Sequence, residues 1–275
     1  MIENIDFFTP LSVTNKMRLG PKGDGGYIVY RPSLFNCDIL MTYGVGWDVN
    51  FEVDFYNLTN KKIFMYDPTM FGDKYIDRLY SKRLIKILKF QKLYEYLRFS
   101  YNWGKYFKYL QQHDVIFYNE GLANKKSGKY DTFQNHLIKN NITTEKILLK
   151  MDIEENEYSI LSESDIYIQF NNVDQIIIEF HNLKNRLREL KTIISQLKEM
   201  YEIVHIHGNN NSDLFTLYKD HGNDISFPDV VEVTLVKKES ILSKDVLYEK
   251  IDYPCKNLDY PNTPCRPDFI KLKFK

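Results

Sequence analysis

Cysteine is scarce: Cys37, Cys255 and Cys265 are the whole set in 275 residues, and no two stand in CxxC spacing. That excludes a disulfide framework and a zinc knuckle, and a reducing cytoplasm is the expected location. No stretch approaches the ~20 apolar residues that a membrane-spanning helix needs. Met1 to Pro10 carries acids and no basic flank ahead of an apolar core, so it has the form of neither a signal peptide nor a transit sequence. Net charge is missing too. Lys plus Arg and Asp plus Glu stand at 37 each, so no global field announces nucleic acid as the partner. Internal repeats and low-complexity linkers are absent. With 43% hydrophobic residues the chain can bury a full core, and one domain over 1–275 is expected. The 21 tyrosines are a bias of composition.

Several short apolar runs end in ionisable groups. Met17 to Val29 is a glycine-dense turn entering a strand, which suits either a plain hairpin or a backbone folded tightly over a ligand. Asp38 to Tyr43 reads as a buried strand. It breaks at Gly44-Val45-Gly46 before an amphipathic helix, Asp48 to Leu58, with Phe51, Phe55 and Leu58 on one side. Lys62 to Tyr66 is the next strand and ends at Asp67, about 20 residues after the glycines, where an acid can receive both hydroxyls of a ribose. The third glycine of a dinucleotide fingerprint is missing, which weighs against a nicotinamide-dependent oxidoreductase.

Residues 74–111 differ from their surroundings. Ten Lys or Arg face two acids, Asp77 and Glu95, with eleven aromatics interleaved. Helical spacing at Leu79, Ile85, Leu88 and Leu93 suggests a helical insertion or lid. A solvated basic face, a cradle for a phosphorylated or nucleotide-linked sugar, a peripheral membrane contact and single-stranded nucleic acid all remain open for it, the last least favoured.

Further strands follow at Asp114 to Asn119, leading into Gly121-Leu122, and at Ile147 to Met151, which discharges into Asp152-Ile153-Glu154-Glu155-Asn156-Glu157. Glu155 and Glu157 read as first-turn acids of the next helix. Val173 to His181 ends at Glu179 and His181, Leu183 to Met200 is a long amphipathic helix, and Tyr201 to His207 stops at Gly208-Asn209. Pro228 to Val236 adds a closing strand, and a proline-containing tail is expected to lie extended on the surface. Strands alternating with helices predict a doubly wound α/β sheet whose ligands bind outside the carboxyl ends of the strands.

Arg18-Leu19-Gly20 with Asp24-Gly25-Gly26-Tyr27, Tyr43-Gly44-Val45-Gly46, Leu149 to Glu154, Ile178 to His181, His207 to Asn210 and Pro228-Asp229-Val230 together resemble the FkbM-type methyltransferases, particularly their methyltransferase-like branch. The likeness runs in order from about residue 15 to 235. It departs where the family usually has Asp-Ile-Glu-Gly-x-Glu, because Glu155 and Asn156 stand in place of the glycine and a small residue.

The resemblance implies a Rossmann-like class I methyltransferase sheet, mostly parallel with an antiparallel last strand, and S-adenosylmethionine as methyl donor. It also implies O-methylation of a sugar or other small hydroxyl compound, and with the basic segment 74–111 meeting phosphates the expected acceptor is a nucleotide-activated or phosphorylated sugar for surface polysaccharide (capsule). Gly44 and Gly46 would admit the donor, and Asp67 would hold its ribose. Gly121 and Leu122 would flank the adenine, while Tyr43 and the turn carrying Arg18, Asp24 and Tyr27 would close over the methionine end. His181 and His207 are the candidate bases near neutral pH. Asp152 and Glu179 would orient a histidine or, in the less favoured alternative, hold a divalent metal with it. A non-catalytic binding or membrane-associated protein on the same fold is the alternative function. Acceptor identity and self-association stay open.

Overall fold

The computed structural model describes residues 5–46, 48–69, 109, 114–163, 165–220, 223–269, 272 and 274. The expected insertion at 74–111 lies outside the described residues except for Tyr109, whose hydroxyl donates to the Glu52 carbonyl at 2.9 Å.

A hairpin opens the described fold: β1 (Lys16–Leu19) pairs antiparallel with β2 (Tyr27–Tyr30), and the glycine-dense turn joins them. A short helix, α1 (Arg31–Asn36), leads to β3 (Ile39–Tyr43), α2 (Asn50–Thr59) and β4 (Lys62–Tyr66). Then come β5 (Val115–Tyr118), the two-residue strands β6 (Gly121–Leu122) and β7 (Tyr130–Asp131), and α3 (Phe133–Lys139). The second half runs β8 (Ile147–Met151), α4 (Asn156–Leu161), α5 (Ile166–Gln169), β9 (Val173–Phe180), α6 (Leu183–Met200) and β10 (Tyr201–Gly208). A hairpin of β11 (Leu214–Asp220) and β12 (Asn223–Pro228) precedes β13 (Val231–Lys237).

Seven strands form one sheet in the order β10-β13-β9-β8-β3-β4-β5. From β9 to β5 every neighbour is parallel, and β13 runs antiparallel to both β9 and β10. This is the mostly parallel sheet with a reversed last strand that the resemblance implied. All residues of β3, β8 and β9 are buried, as two covered faces require, which is why their sequences read as continuous runs without alternation. The chain begins at β3, winds outward to β5, then returns to β8 on the other side of β3. The direction of winding therefore reverses between β3 and β8, where a parallel sheet opens a crevice.

On one face α6 buries Leu183, Leu187, Leu190, Ile193, Ile194 and Leu197, spaced three or four apart, each contributing roughly 1.5–3 kcal/mol before ordering costs. On the other face α2 presents Phe51 and Phe55, but Leu58 is 43% exposed because the helix runs past the core in its last turn. The β1–β2 hairpin covers β9 and β13: the Tyr30 amide donates to Gln175 Oε1 at 2.6 Å and the Thr234 hydroxyl to the Ile28 carbonyl at 2.6 Å. The tail is not a surface strap. Tyr253 and Cys255 are buried, and Asp259 Oδ1 lies 2.8 Å from Nε2 of the buried His205 in β10.

Candidate active site

The crevice is shaped by one glycine. Gly44 turns out of β3 with φ +73°, and a Cβ there would lie 1.6 Å from the Asp152 carbonyl oxygen at the end of β8. Only a residue without a side chain lets the two strand ends pass so closely. Its amide donates to the Tyr66 carbonyl at 3.0 Å, and the Asp152 amide donates to Tyr43 at 3.1 Å. Two residues on, the Gly46 amide donates to Asp67 Oδ2 at 2.8 Å, latching the loop to the acid at the end of β4. Asp67 Oδ1 accepts from the Thr69 amide and hydroxyl at 2.8 and 2.7 Å. This buried acid thereby ties the Gly44 to Gly46 loop to the end of β4. Around Gly46 a Cβ would meet open space.

That space is a cavity of about 600 Å³. On the β4 side it is lined by Tyr43, Gly44, Gly46, Asp67, Gly121 and Leu122, and on the β8 side by Asp24, Tyr27, Lys150, Asp152, Ile153 and Glu154. Gly121 is pressed between the Tyr130 ring and Pro68, at 2.6 and 2.9 Å from a notional Cβ, so its backbone can form cavity wall where a side chain could not fit. The hydroxyl of Tyr43 is held from the opposite side by His136 Nδ1 at 3.1 Å. Burial pushes that imidazole down to about 4, so His136 is a neutral partner, stacked on Tyr66 at 4.3 Å.

Charge is concentrated beside β8. The Tyr27 hydroxyl stands 3.1 Å from both Asp152 Oδ2 and Glu179 Oε2, one proton between two acceptors. Glu179 Oε1 accepts from Asn209 Nδ2 at 2.9 Å. Burial, then the neighbouring charges of Asp152 and Glu232, hold the Glu179 carboxyl well above the usual range. His181 Nε2 faces Asp152, Glu154 and Glu179 at 3.7–3.8 Å. Its Nδ1 lies 3.3 Å from Oε1 of the fully buried Glu157, which also accepts the His181 amide at 2.9 Å. Burial alone would lower His181, but the bond to Glu157 and the charges of Glu179, Glu157 and Asp152 outweigh it and raise it. The imidazole is thus held protonated near neutral pH, behind Asp152 and not lining the cavity among the described residues.

Two expected site residues sit elsewhere. His207 continues the row through register, next to Glu232, which pairs with Glu179. Its Nδ1 and Nε2 are committed to Glu232 at 3.3 Å and Asp268 at 3.4 Å. Burial opposes the charge, yet those two bonds hold His207 up to about 10, and an imidazolium with both N–H groups engaged has no lone pair to take a proton. Arg18 supports the hairpin turn: it donates to the carbonyls of Pro21, Gly23 and Leu258 at 2.7, 2.6 and 3.2 Å and stacks on Tyr260. Asp24, in the turn that Arg18 braces, does line the cavity, its carboxyl raised by burial against a bond from Asn262.

For a cation, Asp152, Glu154 and His181 each offer one atom within 4.8 Å of the others. A second group, His205, Cys255 and Asp259, is buried and fastens the tail. Glu157, Lys150 and Glu232 are site residues that sequence reasoning missed. Glu157 looked like a helix-start acid, and Glu232 like the polar half of an alternating strand. The one available signal for Lys150 was a lone lysine among the apolar residues of β8.

Three solved structures show a slight likeness to this chain. The precorrin-6y C5,15-methyltransferase from Geobacter metallireducens is 10% identical, with 74% of this chain and 81% of that chain covered and a TM-score of 0.35. A putative methyltransferase from Streptococcus mutans in complex with SAH is 11% identical, over 75% and 94%, at 0.33. A putative tRNA (m1A22) methyltransferase from Streptococcus pneumoniae, in complex with S-adenosyl-L-methionine, is 9% identical, over 76% and 71%, at 0.35. Likeness this slight adds nothing to the strand order itself. No curated protein matches the sequence. The methyltransferase FkbM domain, by contrast, matches residues 9–225, most of the chain and both sides of the cavity. The chain belongs to the FkbM family of methyltransferases.

Proposed function

We propose that the protein transfers the methyl group of S-adenosylmethionine to a hydroxyl oxygen of a sugar, nucleotide-activated or phosphorylated, in the cytoplasm. The observation that carries the donor is the charge of the cavity: among the described residues Asp24, Asp48, Asp67, Asp152 and Glu154 line it against Lys150 alone. A sulfonium with a free amino group is a cation that such a cavity attracts. Leu122 and Gly121 suit the adenine, and Asp67 beside the Gly46 amide suits the ribose. Asp152, at the end of β8, lines the same cavity.

The sulfonium carries its own activation, so the protein must place an oxygen in line with the methyl carbon and take its proton. The donor, when bound, would supply the methyl group, its C–S bond breaking with the electron pair left on sulfur as the acceptor oxygen takes the carbon, and Asp152 would accept the hydroxyl proton. Tyr27 and His181 hold that carboxylate in position. The sugar as acceptor follows from what the family resemblance implies.

Calorimetry with S-adenosylmethionine tests the donor. Binding is expected in the wild type and a roughly tenfold or greater loss in Asp67→Ala, which removes hydrogen bonds to a charged acceptor. No heat from the wild type would sink the donor assignment. A panel of nucleotide sugars, followed for a mass gain of one methyl, tests the acceptor.

A further inference from the structure

β8 holds an anomaly that the reaction above does not use. All five of its residues are buried, four are apolar, and the fourth is Lys150, only 5% exposed. A buried ammonium is costly unless a carboxylate or several hydrogen bonds compensate it. Among the described residues the Lys150 amine has no hydrogen bond and no carboxylate within ion-pair distance. Its amine lies 4.8 Å from the Tyr27 ring centroid and 5.9 Å from that of Phe51. The acid that acts on it through space is Glu52, fully buried, bonded to Thr42 at 2.8 Å and pushed toward its neutral form by burial. Lys150 pairs in register with Thr42, across the point where the winding reverses, and it lines the cavity immediately before the Gly44 loop and Asp152.

We propose that the Lys150 ammonium receives the carboxylate of the donor's amino-acid moiety, making Lys150 the residue by which the cavity requires that carboxylate. This rests on S-adenosylmethionine being the donor. That molecule carries two cationic groups and one anionic one. The cavity's acids suit the sulfonium and the ammonium, and among its described lining residues Lys150 is the only cation for the carboxylate. The ligand thereby supplies the partner that the fold leaves out, and the Tyr27 ring screens the pair from water.

Affinities for S-adenosylmethionine and for decarboxylated S-adenosylmethionine, which lacks only the carboxylate, are measured by calorimetry on the wild type, Lys150→Met and Lys150→Arg. The wild type is expected to prefer the carboxylated donor by roughly ten- to a hundredfold, the range of a hydrogen bond to a charged group. Lys150→Met should bring the two ligands within about threefold of each other, and Lys150→Arg should keep part of the preference. Equal affinity of the wild type for both ligands overturns the proposal. So does a Lys150→Met variant that weakens both equally and keeps the preference. If that variant does not fold, the wild-type comparison alone decides. A wild type that binds neither ligand refutes the donor itself, and this inference with it.

Discussion

Glu157→Gln isolates the group that holds His181 charged. Glu157 is fully buried in α4. One of its oxygens serves both the His181 amide and ring, and the other is without a hydrogen-bond partner among the described residues. Glutamine keeps the shape and the acceptor for the amide but removes the charge beside Nδ1. A hydrogen bond to a charged group is worth roughly 1.5–3 kcal/mol. At 1.36 kcal/mol per unit, the His181 titration should fall by about one to two pH units. Nuclear magnetic resonance of the imidazole Cε1–H between pH 5 and 10 reads it directly. Stability must follow. His181 is raised in the folded state above its ordinary 6.5, so its contribution is fully present below pH 6.5 and is lost as pH rises through the folded value. The wild type should therefore exceed Glu157→Gln by about 2 kcal/mol at pH 6 in urea melts, and the gap should narrow toward pH 9.5. A His181 titration that stays put or moves upward would refute the reasoning, as would a stability gap that ignores pH.

Four other outcomes are expected. Gly44→Ala places a methyl 1.6 Å from the Asp152 carbonyl at φ +73°, so urea melts should show a loss of about 2 kcal/mol or more and calorimetry no donor binding. Glu155 occupies φ +74°, where the family usually has glycine, and Glu155→Gly should stabilise by about 1 kcal/mol, seen as a higher Tm; a lower one contradicts it. Because His136 is held down to about 4, its contribution is present above pH 6.5 and lost as pH falls through 4, up to roughly 3 kcal/mol. Acid titration of stability should flatten correspondingly in His136→Phe. Turnover should survive chelator, since Tyr27 and the His181 imidazolium already offset the carboxylates of the Asp152 cluster; activity that magnesium restores after chelation would overturn this.

Periodicity and punctuation alone fixed much of the architecture. β4 and α6 begin and end where their apolar patterns do, and β3, β8 and β9 announce themselves as short unbroken runs because both of their faces are covered. The Gly44 to Gly46 loop and Asp67 were legible for the same reason: a turn and the acid about 20 residues later are local features of one strand–helix–strand unit. Register across the sheet is not local. It set Glu179, Glu232 and His207 in one row and so committed both nitrogens of His207 to carboxylates from β13 and the tail, 25 and 61 residues away. The packing of α4 against the end of β9 likewise turned Glu157 inward to hold His181, 24 residues distant, where the sequence offered only a first-turn acid. Leu58 shows the converse, a helical stripe continuing beyond the core it was written for. Which strand ends meet, and which charges face each other there, depended on the order β9-β8-β3-β4, because residues that touch across a parallel sheet are separated in the chain by a whole helix.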